Sequence, residues 1–252
     1  MSEENAQGGE KLFRILQVHA GISRRKAQEL IASGEVTVDG VCVDDPYVVI
    51  PRGRAMALRL RGHPIALDLP QWRVYRYHKP TGMLCSHDDR FYGNTVGRVL
   101  RAEGFIGYTW AGRLDQDVEG LLLLANYGRL IHRLSHPRYE VEKRYQVWLA
   151  HPPSVRAMQR MIQQMKTGIS DRGETLRIVD ARVAKRVSPV TLVLTEGKKH
   201  EVKRLFAHFD LEIERLRRIA VGPVALGALP VGTFSRVTGP EEEALRAVAD
   251  ED

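Results

Sequence analysis

The apolar and polar positions change period several times along the chain. Leu12, Ile15, Leu16 and Val18, then Ala27, Leu30 and Ile31, recur at helical spacing, so residues 10–33 are expected to hold two short helices. Gly21 should end the first, Ser23 should cap the second and Gly34 should end it. Residues 36–43 read as a hairpin around Asp39-Gly40, a strong turn dipeptide, and residues 56–60 read as a strand. Residues 72–78 alternate well enough for a strand, and 79–82 form a turn. Residues 94–100, 129–135 and the amphipathic 153–166 read as helices. Residues 144–149, 175–183, 189–194 and 211–219 read as strands. Val202, Leu205, Phe206 and Phe209 share the face of one more helix. The sharpest block is the apolar run 121–125, bounded by turn signals, which reads as a buried strand. It is far shorter than the roughly twenty residues of a membrane span.

Just before that run stand Asp115, Asp117 and Glu119, three acids within five positions. Such a cluster beside a core strand is either a solvated loop or the rim of an active site.

Composition narrows the choice of partner. The chain has 252 residues, 43% of them hydrophobic, enough for one large domain or a small and a medium one. Its net charge of +7 hides an asymmetry. Residues 1–10 carry three acids and no base, and residues 239–252 carry six acids and one base. That leaves residues 11–238 with 37 Lys and Arg against 22 Asp and Glu. A body this basic favours a polyanionic partner. Arg24, Arg25 and Lys26 sit in the first turn of the second helix, where cations oppose the helix dipole, so phosphate binding explains them better than stability does. Two unpaired cysteines, Cys42 and Cys85, argue against a disulfide scaffold, and no zinc-type spacing appears. His132 and His136, four apart, are too few for a convincing metal site. The first nine residues lack a basic start and an apolar stretch, so no signal peptide is expected, and the location expected is cytoplasmic.

Three segments together carry a resemblance. Gly112-Arg-Leu-Asp115, then Asp117, Glu119, Gly120, the leucine run and Asn126-Tyr-Gly128 closely resemble the catalytic motif of the bacterial ribosomal pseudouridine synthases. Lys143-Arg-Tyr145 resembles that family's second motif. Residues 196–206, Glu-Gly-Lys-Lys-His-Glu-Val-Lys-Arg-Leu-Phe, resemble its third. Lys79-Pro-Thr-Gly82 matches the turn that opens its catalytic domain. Residues 10–62 resemble the small RNA-binding domain named after ribosomal small-subunit protein four, which enzymes of this subgroup carry at the N-terminus. Two departures stand out: Lys203 where many members have Arg, and Glu201 where Gln is common.

The resemblance implies an α+β chain. A small N-terminal α/β RNA-binding domain (10–62) follows a disordered start (1–9). A linker (63–71) leads to a catalytic domain (72–238) built on a mixed, mainly antiparallel sheet with flanking helices. An acidic tail (239–252) ends the chain, with a weak helical stripe at Leu245 and Val248. The activity implied is isomerisation of a uridine in ribosomal RNA, acting as a monomer on that RNA or on a partly assembled subunit. Nothing is oxidised and nothing leaves in that reaction, so no cofactor or metal is expected. The catalytic residues implied are Asp115 as the carboxylate, Tyr145 packed on the uracil and Lys203 paired with Asp115, where a cation favours the charged form of a carboxylate. RNA contacts are expected from Lys11, Arg14, Arg24, Arg25, Lys26, Lys79, Arg113, Lys198, Lys199 and Arg204. Asp117 and Glu119 are expected to face solvent or fix the turn. A non-catalytic RNA-binding or ribosome-assembly protein would share the basic body, but it would not need Asp115, Tyr145 and Lys203 in order. A tRNA ligase or RNA methyltransferase lacks support, since neither class's nucleotide-binding signature is present.

Overall fold

Leu12, Phe13, Ile15 and Leu16 form one buried stripe, and Ala27, Leu30 and Ile31 another. These stripes make helices of α1 (Leu12–Ala20) and α2 (Arg24–Ala32), which follow a short β1 (Gly9–Lys11). Ser23 caps α2 by accepting a hydrogen bond from the Lys26 amide at 3.2 Å. The rest of this part is β2 (Val36–Val38), β3 (Val41–Cys42), β4 (Val49–Pro51), β5 (Leu58–Leu60) and β6 (His63–Pro64). Asp39 and Gly40 turn the β2–β3 hairpin with φ of 51° and 84°, the left-handed pair that such a two-residue turn requires. Strands β3-β2-β5-β6 form one sheet and β1 pairs with β4. Leu12, Leu16, Ile31, Val36 and Leu58 fill the core between them.

The computed structural model describes residues 9–20, 22–51, 56–65, 67, 72–183 and 187–250. Of the disordered start expected at 1–9, Gly9 instead opens β1 and residues 1–8 lie outside the described residues, as do the helix stop at Gly21, Arg52 and Arg54, most of the linker, and Lys185 and Arg186. The chain divides into two units, residues 1–71 with 97–108, and residues 72–96 with 109–252.

The second unit is organised by a nine-stranded sheet. Its elements run β7 (Val74–Lys79), α3 (Val96–Ala102), β8 (Thr109–Trp110), β9 (Glu119–Ala125), α4 (Gly128–Ser135), a 3-10 turn (Pro137–Tyr139) and β10 (Lys143–Leu149). Then come α5 (Val155–Thr167), β11 (Ile169–Asp171), β12 (Glu174–Leu176), β13 (Asp180–Val183), β14 (Val190–Leu194) and α6 (Glu201–Ala207). The last are β15 (Ile213–Val221), β16 (Val224–Ala225), β17 (Phe234–Arg236) and α7 (Pro240–Asp250). From Gly97 on, α3 is grouped with the first unit. The order across the sheet is β13-β14-β10-β15-β9-β7-β17, with β16 on β15 and β8 on β9. Strand β9 runs parallel to β15, and the other pairings of the sheet are antiparallel. This is the α+β, mainly antiparallel architecture that the sequence implies.

Strand β9 is buried along its whole length, which is where a near-continuous apolar run belongs, with both faces of the sheet covered. The region 175–183 departs from expectation: it is two strands, with β12 forming a hairpin with β11 and β13 joining the large sheet. Residues 240–250, expected as part of an acidic tail, also depart. Their Leu245 and Ala249 are buried against Leu130 and Leu134, so α7 is an amphipathic helix seated on the core. Its three glutamates in the first turn suit the positive end of the helix dipole.

Candidate active site

The turn between β8 and β9 is held from three sides. The Gly112 amide donates to Ser135 Oγ at 2.8 Å, and that hydroxyl donates to Ile131 O, anchoring the turn to α4. The Leu114 amide meets Cys85 Sγ at 3.4 Å. Beneath the turn lies Lys79, fully buried at the end of β7. Its ammonium donates to the carbonyls of Pro80 (2.9 Å), Asp115 (3.2 Å), Gln116 (3.4 Å) and Val118 (2.8 Å). Burial pushes this ammonium down to about 8. Desolvation likewise pushes the Cys85 thiol up.

These anchors fix the backbone of Asp115 and leave its side chain in a cleft. Asp115 Oδ2 lies 2.7 Å from His200 Nδ1 and 3.3 Å from Lys203 Nζ. The same ammonium sits 2.5 Å from Asp117 Oδ1, so Lys203 bridges the two aspartates. Burial pushes the Asp117 carboxyl up, but the hydrogen bond and charge of Lys203 outweigh it and hold it below its ordinary value. The cleft is also lined by Tyr145, Val118, Leu216 and Glu201. Tyr145 is half-buried on β10, opposite Leu192 of β14 and Arg218 of β15.

Two buried groups of opposite sign belong to this region, Glu201 in the lining of the cleft and Lys143 at the start of β10. Glu201 is 5% exposed; its Oε2 accepts from the Lys198 amide at 3.2 Å, and its Oε1 has no hydrogen-bond partner among the described residues. Burial pushes this carboxyl up to about 7. Lys143 donates to the carbonyls of Val141 (3.1 Å), Thr195 (3.1 Å) and Glu196 (3.3 Å). Burial and the nearby Arg218 push its ammonium down to about 8.

The structure thus brings Asp115, Tyr145 and Lys203 to one cleft and adds His200, which sequence reasoning passed over. A helical wheel drawn through residues 199–206 groups Lys203 with Lys199 and sets His200 with Arg204, further round the helix. The helix begins only at Glu201, however, and His200 precedes it with φ of 53° and ψ of 31°, which swings its ring onto Asp115. Glu119 corrects the expectation of a solvent-facing acid. It is 7% exposed and accepts from Arg215 (2.8 Å) and Arg217 (2.6 Å), because its strand lies beside β15.

Lys79 is also corrected as an RNA contact, since a fully buried ammonium committed to four carbonyls cannot meet a phosphate. Arg204 is turned to the β11–β12 hairpin, where it bonds Asp171 and, at 2.6 Å, Glu174. The carboxylates of Glu174 and Asp171 raise its already high pKa. Two acids therefore already answer its charge. Lys198 lines the cleft but reaches Thr175 O at 2.6 Å and the Glu196 carboxylate. Arg113 and Lys199 are exposed. In the first unit, Lys11, Arg14, Arg24, Arg25 and Lys26 are all exposed. Arg24 lies 4.9 Å from the Phe13 ring, and Lys26 pairs with Glu29 at 2.8 Å. No helix among the described residues is long and apolar enough to cross a membrane.

Residues 73–208 match the RNA pseudouridylate synthase family, and residues 11–53 match the S4 domain. The chain is 35% identical to ribosomal small subunit pseudouridine synthase A of Vibrio cholerae, over 92% of this chain and 97% of that one. It is 29% identical to ribosomal large subunit pseudouridine synthase B of Bacillus subtilis, over 96% and 97%. A crystal structure of a pseudouridylate synthase superposes with a TM-score of 0.59 at 27% identity, covering 93% of this chain and 99% of that one. The match across more than half of the chain, together with relatives similar over nearly their full length, places it as an enzyme of the RNA pseudouridylate synthase family.

Proposed function

We propose that this enzyme converts a uridine of ribosomal RNA to pseudouridine, with Asp115 as its catalytic carboxylate. The observation that carries the reading is the Asp115 side chain, anchored by its backbone on Lys79 and met at Oδ2 by His200 and Lys203 in a cleft shared with Tyr145. The reaction breaks the bond from ribose C1′ to uracil N1, turns the ring and joins C1′ to C5. The C5 proton is lost and N1 gains one, so the product is an isomer. A carboxylate near the ribose suffices as nucleophile or base. His200 and Lys203 hold it in position. Tyr145 supplies a flat surface against the uracil and keeps water from that side of the ring. The target base must leave its stack to reach the cleft. Arg113, exposed on the same turn, then faces the backbone or the vacated space.

Ribosomal RNA as the substrate is supported by the activities named for the Vibrio cholerae and Bacillus subtilis relatives. We assign residues 10–62 to anchoring that RNA and residues 72–238 to the chemistry. The exposed Lys11, Arg14, Arg24, Arg25 and Lys26 of the N-terminal part suit phosphate contacts, which position an RNA without specifying its sequence. The enzyme acts on free ribosomal RNA or on a partly assembled subunit. Mapping pseudouridines in both ribosomal RNAs from cells with and without the gene tests the reading. One site should vanish on deletion and return on complementation, and its position names the subunit. An unchanged map in both RNAs would contradict ribosomal RNA as the substrate.

A further inference from the structure

Between β7 and α3 the chain leaves the sheet as a loop whose base is bonded to the Asp115 turn. The Gly82 amide donates to Gln116 O at 2.7 Å, and Cys85 Sγ meets the Leu114 amide. The loop's two arms close on each other through Leu84, whose amide donates to Asn94 O at 3.0 Å and whose carbonyl accepts from Val96 at 2.9 Å. The outer part is fastened as well. Asp89 Oδ1 accepts from the amides of Phe91 (2.9 Å) and Tyr92 (3.0 Å), and Ser86 Oγ donates to Asp88 O at 2.7 Å.

What this fastened tip presents is unusual. Phe91 is 92% exposed and Tyr92 52%, and the neighbouring Arg90 is exposed too. A single apolar side chain in water is ordinary on a protein surface. Two adjacent aromatics beside an arginine, on a loop rooted in the turn that carries Asp115, are not explained by packing. Consecutive basic and aromatic side chains are what an unpaired RNA segment meets well, since every base has a face for stacking and every linkage a phosphate. Extruding a uridine also leaves its neighbours unstacked, and an aromatic ring can cover the exposed face.

We propose that the 90–92 tip is an RNA-binding element: Phe91 stacks on an unpaired base next to the extruded uridine, and Arg90 meets an adjoining phosphate. The proposal rests on the reading that this enzyme modifies RNA. Its test uses the full chain and a ribosomal RNA fragment holding the uridine found by mapping, with affinity measured by fluorescence anisotropy across salt concentrations. Phe91→Ala should weaken binding about tenfold or more and leave the salt slope unchanged, because phenylalanine carries no charge. Phe91→Trp should bind within about twofold of wild type, and Arg90→Ala should flatten the slope. Since Phe91 is almost wholly in water, its removal should leave thermal unfolding unchanged.

Equal affinity of Phe91→Ala and wild type for the RNA would overturn the proposal. So would a defect seen only with a protein-containing ribosomal particle, which would put a protein on the loop instead. The two readings separate cleanly. A wild-type chain that forms pseudouridine while Phe91→Ala binds equally well overturns the loop alone. A chain that forms none, but loses RNA affinity on Phe91→Ala, keeps the loop and overturns the catalytic reading.

Discussion

Asp115 has two nitrogen partners of unequal reach. His200 is the nearer at 2.7 Å, and Lys203 at 3.3 Å is shared with Asp117. A hydrogen bond involving a charged group is worth about 1.5–3 kcal/mol. His200→Ala and Lys203→Met should therefore each slow single-turnover pseudouridine formation about ten- to a hundredfold. Lys203→Arg should stay within a few-fold, because its fork can serve both aspartates. Asp117→Asn should remain active, since it releases Lys203 to Asp115. Wild-type rates in both His200→Ala and Lys203→Met would remove these two from the site. Glu201 behaves differently, as a cost to the fold. Its carboxyl is raised from 4.5 to about 7, so the folded state binds a proton that the unfolded state has released. Stability therefore falls as pH rises from about 4.5 to about 7, by on the order of 3 kcal/mol for this group. Glu201→Gln should raise the urea midpoint at pH 8 and leave it nearly unchanged at pH 4. An equal effect at both pH values would place its cause elsewhere.

Strand β9 depends on Gly120 for its fit against β15. Gly120 has φ of 117°, and a Cβ there would lie 2.3 Å from Arg218 O. Gly120→Ala meets both an unfavourable backbone angle and a rigid neighbour, and should cost about 3 kcal/mol or more. Gly173, at φ of 77° with nothing within 4 Å, should cost only about 1 kcal/mol on the same change. Urea unfolding of the two variants checks the contrast, and equal midpoints would contradict it. Strand β9 was legible in the sequence because an uninterrupted apolar run between turn signals has few other readings. The hairpin β11–β12 and strand β17 were not, since each of these three-residue strands holds a single apolar residue (Ile169, Leu176, Phe234) and so sets no alternation, as Val36 with Val38 and Leu58 with Leu60 do. Helix α7 was half legible: the charge of residues 239–252 suggests a tail, while the weak stripe at Leu245 and Val248 falls on the face that packs on the core, with Ala249 buried beside it. At the site, Asp115 and Tyr145 were legible through their motifs. His200 was not, because its reach depends on where α6 starts, and the apolar spacing does not set that residue.

Across the whole molecule, the proposed RNA anchor and the proposed catalytic residue fall in different units. The exposed Arg24, Arg25 and Lys26 belong to the N-terminal unit, and Asp115 belongs to the other. If the first group anchors RNA, changing all three to Ala should weaken binding and reduce its salt dependence by about two to three counterions. The rate at saturating RNA should largely survive. A triple variant with wild-type affinity and slope would contradict that role. The central claim is that the whole chain's reaction passes through one carboxylate. Asp115→Asn removes the charge while keeping the size of the side chain, and the Lys79 bonds that fix this turn go to backbone carbonyls, so the fold and RNA affinity should persist. Losing a catalytic acid or base costs at least about 10²–10⁴ in rate. The decisive measurement is pseudouridine formed by Asp115→Asn on its mapped ribosomal RNA substrate, with affinity measured on the same preparation. The account predicts wild-type affinity and no detectable product. Turnover at the wild-type rate would contradict it.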